Sequence, residues 1–84
     1  MISMVRVSGI VLDRFTGDTI AGALVNIGHY RTTSGSDGRF ELEVEPGSYI
    51  VMCQAEGYET TTRVVNITGD TSITFLMTPL VRLL

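Results

Sequence analysis

Ser34-Gly-Ser-Asp-Gly-Arg-Phe-Glu-Leu-Glu-Val-Glu-Pro-Gly-Ser-Tyr-Ile-Val-Met-Cys-Gln-Ala-Glu-Gly-Tyr58 is the stretch whose reading decides the fold. Within it, Asp37-Gly38 has turn chemistry, because Gly accepts the positive φ of a tight reversal without steric penalty. Phe40, Leu42 and Val44 then alternate with Glu41, Glu43 and Glu45. That period of two makes one face apolar and the other acidic. Pro46-Gly47 fits the centre of a type II turn, Pro presetting φ and Gly supplying a positive one. Tyr49, Val51, Cys53 and Ala55 form a second alternating set, closed by Gly57. The expectation is a β-hairpin with an acidic outer face.

Outward from this centre the same pattern continues. Met4 to Asp13 alternates Val5, Val7, Gly9 and Val11 against Met4, Arg6, Ser8, Ile10 and Leu12, and its β-branched content favours a strand. Arg14 to Asp18 is a loop with Gly17 at its positive-φ position. Ala23 to Gly28 and His29 to Thr33 read as the second and third strands, Thr60 to Ile67 as the sixth, and Ser72 to Met77 as the seventh. Pro79 ends the last, having no N–H for a ladder. No segment carries a helical period. Seven short strands separated by regular turn signals predict an all-β, seven-stranded antiparallel β-sandwich. Its inward set is Val7, Val11, Val25, Ile27, Phe40, Leu42, Val44, Tyr49, Val51, Val65, Phe75 and Met77.

Composition bounds what such a domain can do. The chain has 84 residues, 44% of them hydrophobic, and a net charge of −3. A domain this small buries only about 60–65% of its unfolded surface, which leaves little room for a deep catalytic cleft. The acidic balance argues against nucleic acid as a partner, which calls for a basic stripe. All six basic residues are Arg, so Lys–Asn isopeptide crosslinks are excluded. Cys53 is the single cysteine and permits no intrachain disulfide. Met1 to Val7 is too short and polar for a signal peptide, and no apolar run approaches the roughly 18 residues of a membrane span.

A series of motifs runs through nearly the whole chain. Val7-x-Gly9-x-Val11-x-Asp13 is followed by Thr16-Gly17, Ile20-x-Gly22-Ala23-x-Val25, Asp37-Gly38-x-Phe40, Pro46-Gly47-x-Tyr49 and Gly57-Tyr58. In this order they resemble the carboxypeptidase regulatory-like domain of the transthyretin-like superfamily, over about Val5 to Met77. Thr19 departs from the pattern, standing where the family often has Pro. The resemblance implies a prealbumin-like, Greek-key sandwich with no catalysis of its own, occupying residues 1–79, with residues 80–84 as an apolar C-terminal tail. It also implies an accessory role in packing, spacing and protein contact, in extracellular or cell-surface settings. Tyr58 is implied to pack over the end of the sandwich.

The chemistry-bearing residues point the same way. His29 is the only histidine, so His-based metal triads and Ser-His-Asp arrangements lack a partner. The superfamily's hydroxyisourate hydrolases need several histidines and a C-terminal Tyr-Arg-Gly-Ser signature, and neither occurs here. Cys53, mid-strand on the inner face, reads as a small buried hydrophobe rather than a nucleophile. Asp13, Asp18, Asp37, Glu56 and Glu59 are expected at one end of the sandwich, where oxygen ligands could suit Ca²⁺. Turn residues of this kind more often serve local hydrogen bonding, and no Asp-x-Asp loop is present. Asn66-Ile67-Thr68 is a glycosylation sequon that matters only in a eukaryotic secretory context. No catalytic residue, metal ligand or cofactor is expected, and the chain is read as not an enzyme.

The function read from these residues is a non-catalytic structural or protein-interaction module. The alternative is a carbohydrate- or small-ligand-binding module, which the absence of Trp disfavours as a sugar platform. If the inner set is as given, Ile10, Leu12, Leu24, Ile50 and Met52 point outward. An immunoglobulin-like strand order would gather them into one exposed patch, to be covered by a protein partner, by a second copy in a homo-oligomer, or by the chain's own tail.

Overall fold

The computed structural model describes residues 3–80. Seven strands follow in chain order: β1 Val5–Asp13, β2 Leu24–Ile27, β3 Tyr30–Thr33, β4 Arg39–Val44, β5 Gly47–Gln54, β6 Thr61–Ile67 and β7 Thr71–Met77. They form a three-stranded sheet of order β4-β1-β7 and a four-stranded sheet of order β3-β2-β5-β6. The two sheets pack face to face as a sandwich. All pairs are antiparallel except β1 with β7, which run parallel. The all-antiparallel expectation is corrected at that one pair. β7 reaches that sheet from β6 of the other sheet rather than through a hairpin with β1, so no tight turn forces the two strands to run in opposite directions.

The core lies between the sheets and is built from the inward residues. Val7, Val11, Val25, Ile27, Val44, Val51, Ile67, Phe75 and Met77 are fully buried, with Phe40 nearly so. Leu42, Tyr49 and Val65 are half-buried against them. Phe40 and Phe75 meet from opposite sides of β1, ring centroids 5.9 Å apart. Gly9 makes this possible, since a Cβ there would collide with the Ile73 carbonyl oxygen and lie 2.5 Å from the Phe40 ring.

The central hairpin is not formed. β4 pairs with β1 and β5 pairs with β2 and β6, so Pro46 lies at a crossover between the sheets. The reason is geometric. Phe40 and Val44 must face Val51 and Cys53 across the core, and a hairpin would set them side by side. Gly47 is the first residue of β5 and has no positive φ, so no type II turn occurs there. The positive-φ glycines include Gly17, Gly38 and Gly57, and the Asp37-Gly38 turn closes with the Gly38 N–H donating to Gly35. His29 belongs to a two-residue turn with Gly28 rather than to β3, because Ile27 pairs directly with Tyr30. Of the tail at residues 80–84, only Leu80 lies within the described residues.

Candidate functional site

The acidic end of the sandwich is a clasp. Asp13 ends β1 with only 8% of its surface exposed. Its Oδ1 accepts the N–H groups of Phe15 (2.8 Å) and Thr16 (3.0 Å), and its Oδ2 accepts the Tyr58 hydroxyl at 2.8 Å. The Thr16 amide above all, then the Tyr58 hydroxyl and the Phe15 amide, hold the Asp13 carboxyl below its ordinary range. Donation to that carboxylate raises the Tyr58 phenol in turn. Asp37 accepts the Arg39 N–H at 3.0 Å. Among the described residues no group of three or more His, Cys, Asp or Glu side chains could hold a metal ion. Asp13 and Asp37 cap loops through these bonds.

The other singled-out residues lie apart from one another. Cys53 is buried, and desolvation pushes its thiol up to about 11 against the opposing pull of Arg63. His29 is exposed, its ring 4.2 Å from that of Tyr30. The Asn66 Oδ1 accepts the Ser48 hydroxyl at 3.2 Å on the surface. Ser34, which the sequence reading did not single out, is buried at 5% exposure. Its hydroxyl accepts the Ala23 N–H and donates to the Ile20 carbonyl, pinning the loop before β2.

The outward aliphatic residues do not form one patch. Ile10 and Leu12 lie on the outer face of the three-stranded sheet, and Leu24, Ile50 and Met52 on that of the four-stranded sheet. The expected immunoglobulin-like neighbourhood fails because β1 shares no sheet with β2 or β5. Ile10 and Leu12 are each half-buried, Leu12 beside Leu76 on β7. The exposed apolar focus is on the other sheet. Ile50 is 64% exposed and faces Val64, 75% exposed, directly across the β5–β6 ladder. Met52, two residues along β5 on the same face, and Leu24, opposite Gln54 on β2, are half-buried. Val64 was missed, although the signal was legible: with Val65 inward, Val64 must point out.

The two long sides of the sandwich differ. Beside β4, an open groove of about 570 Å³ is lined by Ser8, Thr32, Thr33, Arg39, Glu41 and Ser72, among others. On the opposite side, the Arg63 guanidinium lies 5.0 Å from the Phe75 ring centroid and donates to the Thr74 carbonyl at 3.1 Å. The β6 and β7 edges thus share one arginine.

The family model described as Carboxypeptidase regulatory-like domain matches residues 6–78. The chain belongs to that family. Among solved structures, this carboxypeptidase regulatory-like domain is similar to a chain of the type II cohesin–X–dockerin complex from Acetivibrio cellulolyticus. The identity is 26% and the TM-score 0.75, covering 87% of this chain and 56% of that one. The domain therefore spans little more than half of that relative's length. It is also similar to the 3-chlorocatechol 1,2-dioxygenase of Rhodococcus opacus (12% identity, TM-score 0.78, 95% and 61% covered). A Streptococcal ancillary pilin matches at 24% identity and TM-score 0.73, with 96% and 31% covered. At those identities the dioxygenase and the pilin share the fold alone. A comparison with curated proteins finds no match. Among the described residues no helix is long and apolar enough to cross a membrane.

Proposed function

We propose that this carboxypeptidase regulatory-like domain is a non-catalytic accessory module of a larger or surface-associated assembly. It works by presenting a rigid sheet face to a protein partner. The observation that carries this reading is the Ile50–Val64 pair, two aliphatic side chains exposed side by side on a stiff four-stranded sheet. Contiguous exposed apolar side chains mark contact surfaces. The groups able to do chemistry are otherwise engaged, Asp13 in its clasp and Cys53 in the core. Membership of the family and the likeness to a chain of a cohesin–X–dockerin complex support the reading.

Magnitudes limit it usefully. Burying each of the two side chains contributes about 1.5–3 kcal/mol, against an association cost of about 4–15 kcal/mol. Two side chains alone do not hold a partner, so backbone or polar contacts must add to them. The test mixes the chain with the domain encoded beside it and follows complex formation by sedimentation, with Ile50→Glu as the control. Complex formation weakened by Ile50→Glu is expected. Turnover of ester, peptide or ureide substrates by the isolated chain would count against it. The second reading, a carbohydrate or small-ligand module, is favoured by the polar groove beside β4. Calorimetric titration with oligosaccharides separates the two, because only that reading expects heat abolished by Arg39→Ala.

A further inference from the structure

A sandwich of two open sheets has four edge strands, here β3, β4, β6 and β7. Each is a row of peptide groups that needs partners or a guard. Hydrogen bonds at the strand ends, with the alternation of an antiparallel ladder, show which groups face outward on each edge.

On β4 the Val11 N–H donates to the Gly38 carbonyl, so Phe40, Leu42 and Val44 bond to β1 and Arg39, Glu41, Glu43 and Glu45 face out. The loop guards the first of these, with Asp37 accepting the Arg39 N–H and Gly35 donating to the Arg39 carbonyl. Two tyrosines guard the last, Tyr30 accepting the Glu45 N–H and Tyr49 donating to its carbonyl. Glu41 and Glu43 remain, and their charges repel a like strand. On β7 the outward carbonyls of Thr74 and Leu76 accept from Arg63 and Arg14. β3 is four residues long and turns only Arg31 and Thr33 outward.

β6 is different. The Gly28 N–H donates to Ile50, so Ile50 and Met52 bond toward β2, while Tyr49, Val51 and Cys53 bond toward β6. Arg63 and Val65 therefore face β5, and the peptide groups of Thr62, Val64 and Asn66 face out. No hydrogen bond among the described residues reaches them. The outer side chains there are neutral, and the one charged residue of the strand, Arg63, is turned away to Thr74 and Phe75.

We propose that the β6 edge pairs with β6 of a second copy of this chain, antiparallel about Val64. This rests on the contact-module reading above and names its partner. The register is self-consistent. Val64 opposes Val64 of the second copy and Thr62 opposes its Asn66, and each such pair exchanges two N–H···O=C bonds because all these groups face outward. Charge agrees as well: the seam sets no like charges opposite each other, whereas a β4–β4 seam would oppose glutamates. The exposed Ile50 and Val64 of both copies then form one stripe across the joined sheet, adding side-chain burial to the backbone bonds.

The experiment is sedimentation of the full chain from micromolar to millimolar concentration, with three variants. Wild type dimerises, and Val64→Lys raises the dissociation constant about tenfold or more. In Val64→Cys the paired Cα atoms stand about 5.5 Å apart, within disulfide reach, and mild oxidation yields a covalent dimer. Glu41→Cys, on the opposite side of the sandwich, yields none, and the buried Cys53 stays silent in all variants. Circular dichroism confirms that each variant folds. A wild type monomeric throughout overturns the proposal, as does a dimer indifferent to Val64→Lys. Dimerisation that appears only when residues 81–84 are deleted overturns it in favour of the tail as occupant. A monomer that still binds the adjacent domain sinks this pairing and leaves the contact-module reading standing.

Discussion

The Tyr58 hydroxyl donates to the Asp13 carboxylate at 2.8 Å, joining two residues 45 positions apart at the end of the sandwich. The bond ties the last residue of β1 to the loop after β5, and so ties one sheet to the other. Tyr58 also bridges to Pro79 just beyond β7, while Glu59 N–H donates to Thr78 and Leu80 N–H to Gly57. Three distant segments are closed together here without a disulfide.

Acid should open this clasp. The folded-state pKa of Asp13 lies below the ordinary 3.8. Its contribution to stability is therefore present above about pH 4 and is lost as pH falls through the lowered value. Urea midpoints between pH 6 and pH 2.5 should fall more steeply for wild type than for Asp13→Asn. Tyr58→Phe, which removes one of the causes, should flatten the acid limb in part. Identical pH slopes in all three would contradict the clasp.

Gly9→Ala should be severely destabilising. Its Cβ would meet the Ile73 carbonyl and the Phe40 ring, and the backbone partner cannot step aside without breaking the β1–β7 ladder. A loss of about 3 kcal/mol or more is expected, read from denaturant midpoints. Gly69→Ala is the control: nothing lies within 4 Å of its Cβ and its φ is not positive, so its midpoint should stay or rise slightly.

Phe75→Ala should cost about 3–5 kcal/mol, since Phe75 is fully buried between Phe40 and the Arg63 guanidinium. Arg63→Ala should cost far less, about 0.5–1 kcal/mol for an exposed cation over a ring. Thermal melts of both variants give the ordering. Comparable losses would mean that Arg63 carries more of the sheet–sheet closure than its exposure implies.

Cys53 should be inert in the folded chain. It is buried and its thiol is pushed up to about 11, so the thiolate that reacts is scarce at neutral pH. Labelling by an aromatic disulfide reagent should be slow in buffer and complete in guanidinium. Because the folded pKa exceeds the unfolded one, its share of stability is full below about pH 8.5 and declines as pH rises toward 11. Cys53→Ala should remove that alkaline loss. Fast labelling of the native chain would refute the assignment.

Strand existence and facing were legible in the sequence, because alternation is a local property of extended backbone and needs no knowledge of partners. Val7, Val11, Phe40, Val51 and Phe75 all point where a period of two sends them. The turns at Gly17, Gly38 and Gly57 were legible for the same kind of reason, since Gly alone accepts their φ freely. Which strand lies beside which is not local. Pro46-Gly47 has the local chemistry of a hairpin turn and reads as one, and only the demand that Phe40 and Val51 bury each other's faces replaces the hairpin with a crossover. That choice placed Ile10 and Ile50 on opposite outer surfaces and moved the apolar focus to Ile50 and Val64. The guarding of the edges was equally invisible, because Arg14 reaches Leu76 across 62 residues and Asp13 receives Tyr58 across 45. Sequence alone determined the faces of the strands, through backbone geometry. Tertiary closure decided the sheets and, among the described residues, which edges carry guards and that β6 carries none, through contacts between residues that share no local pattern.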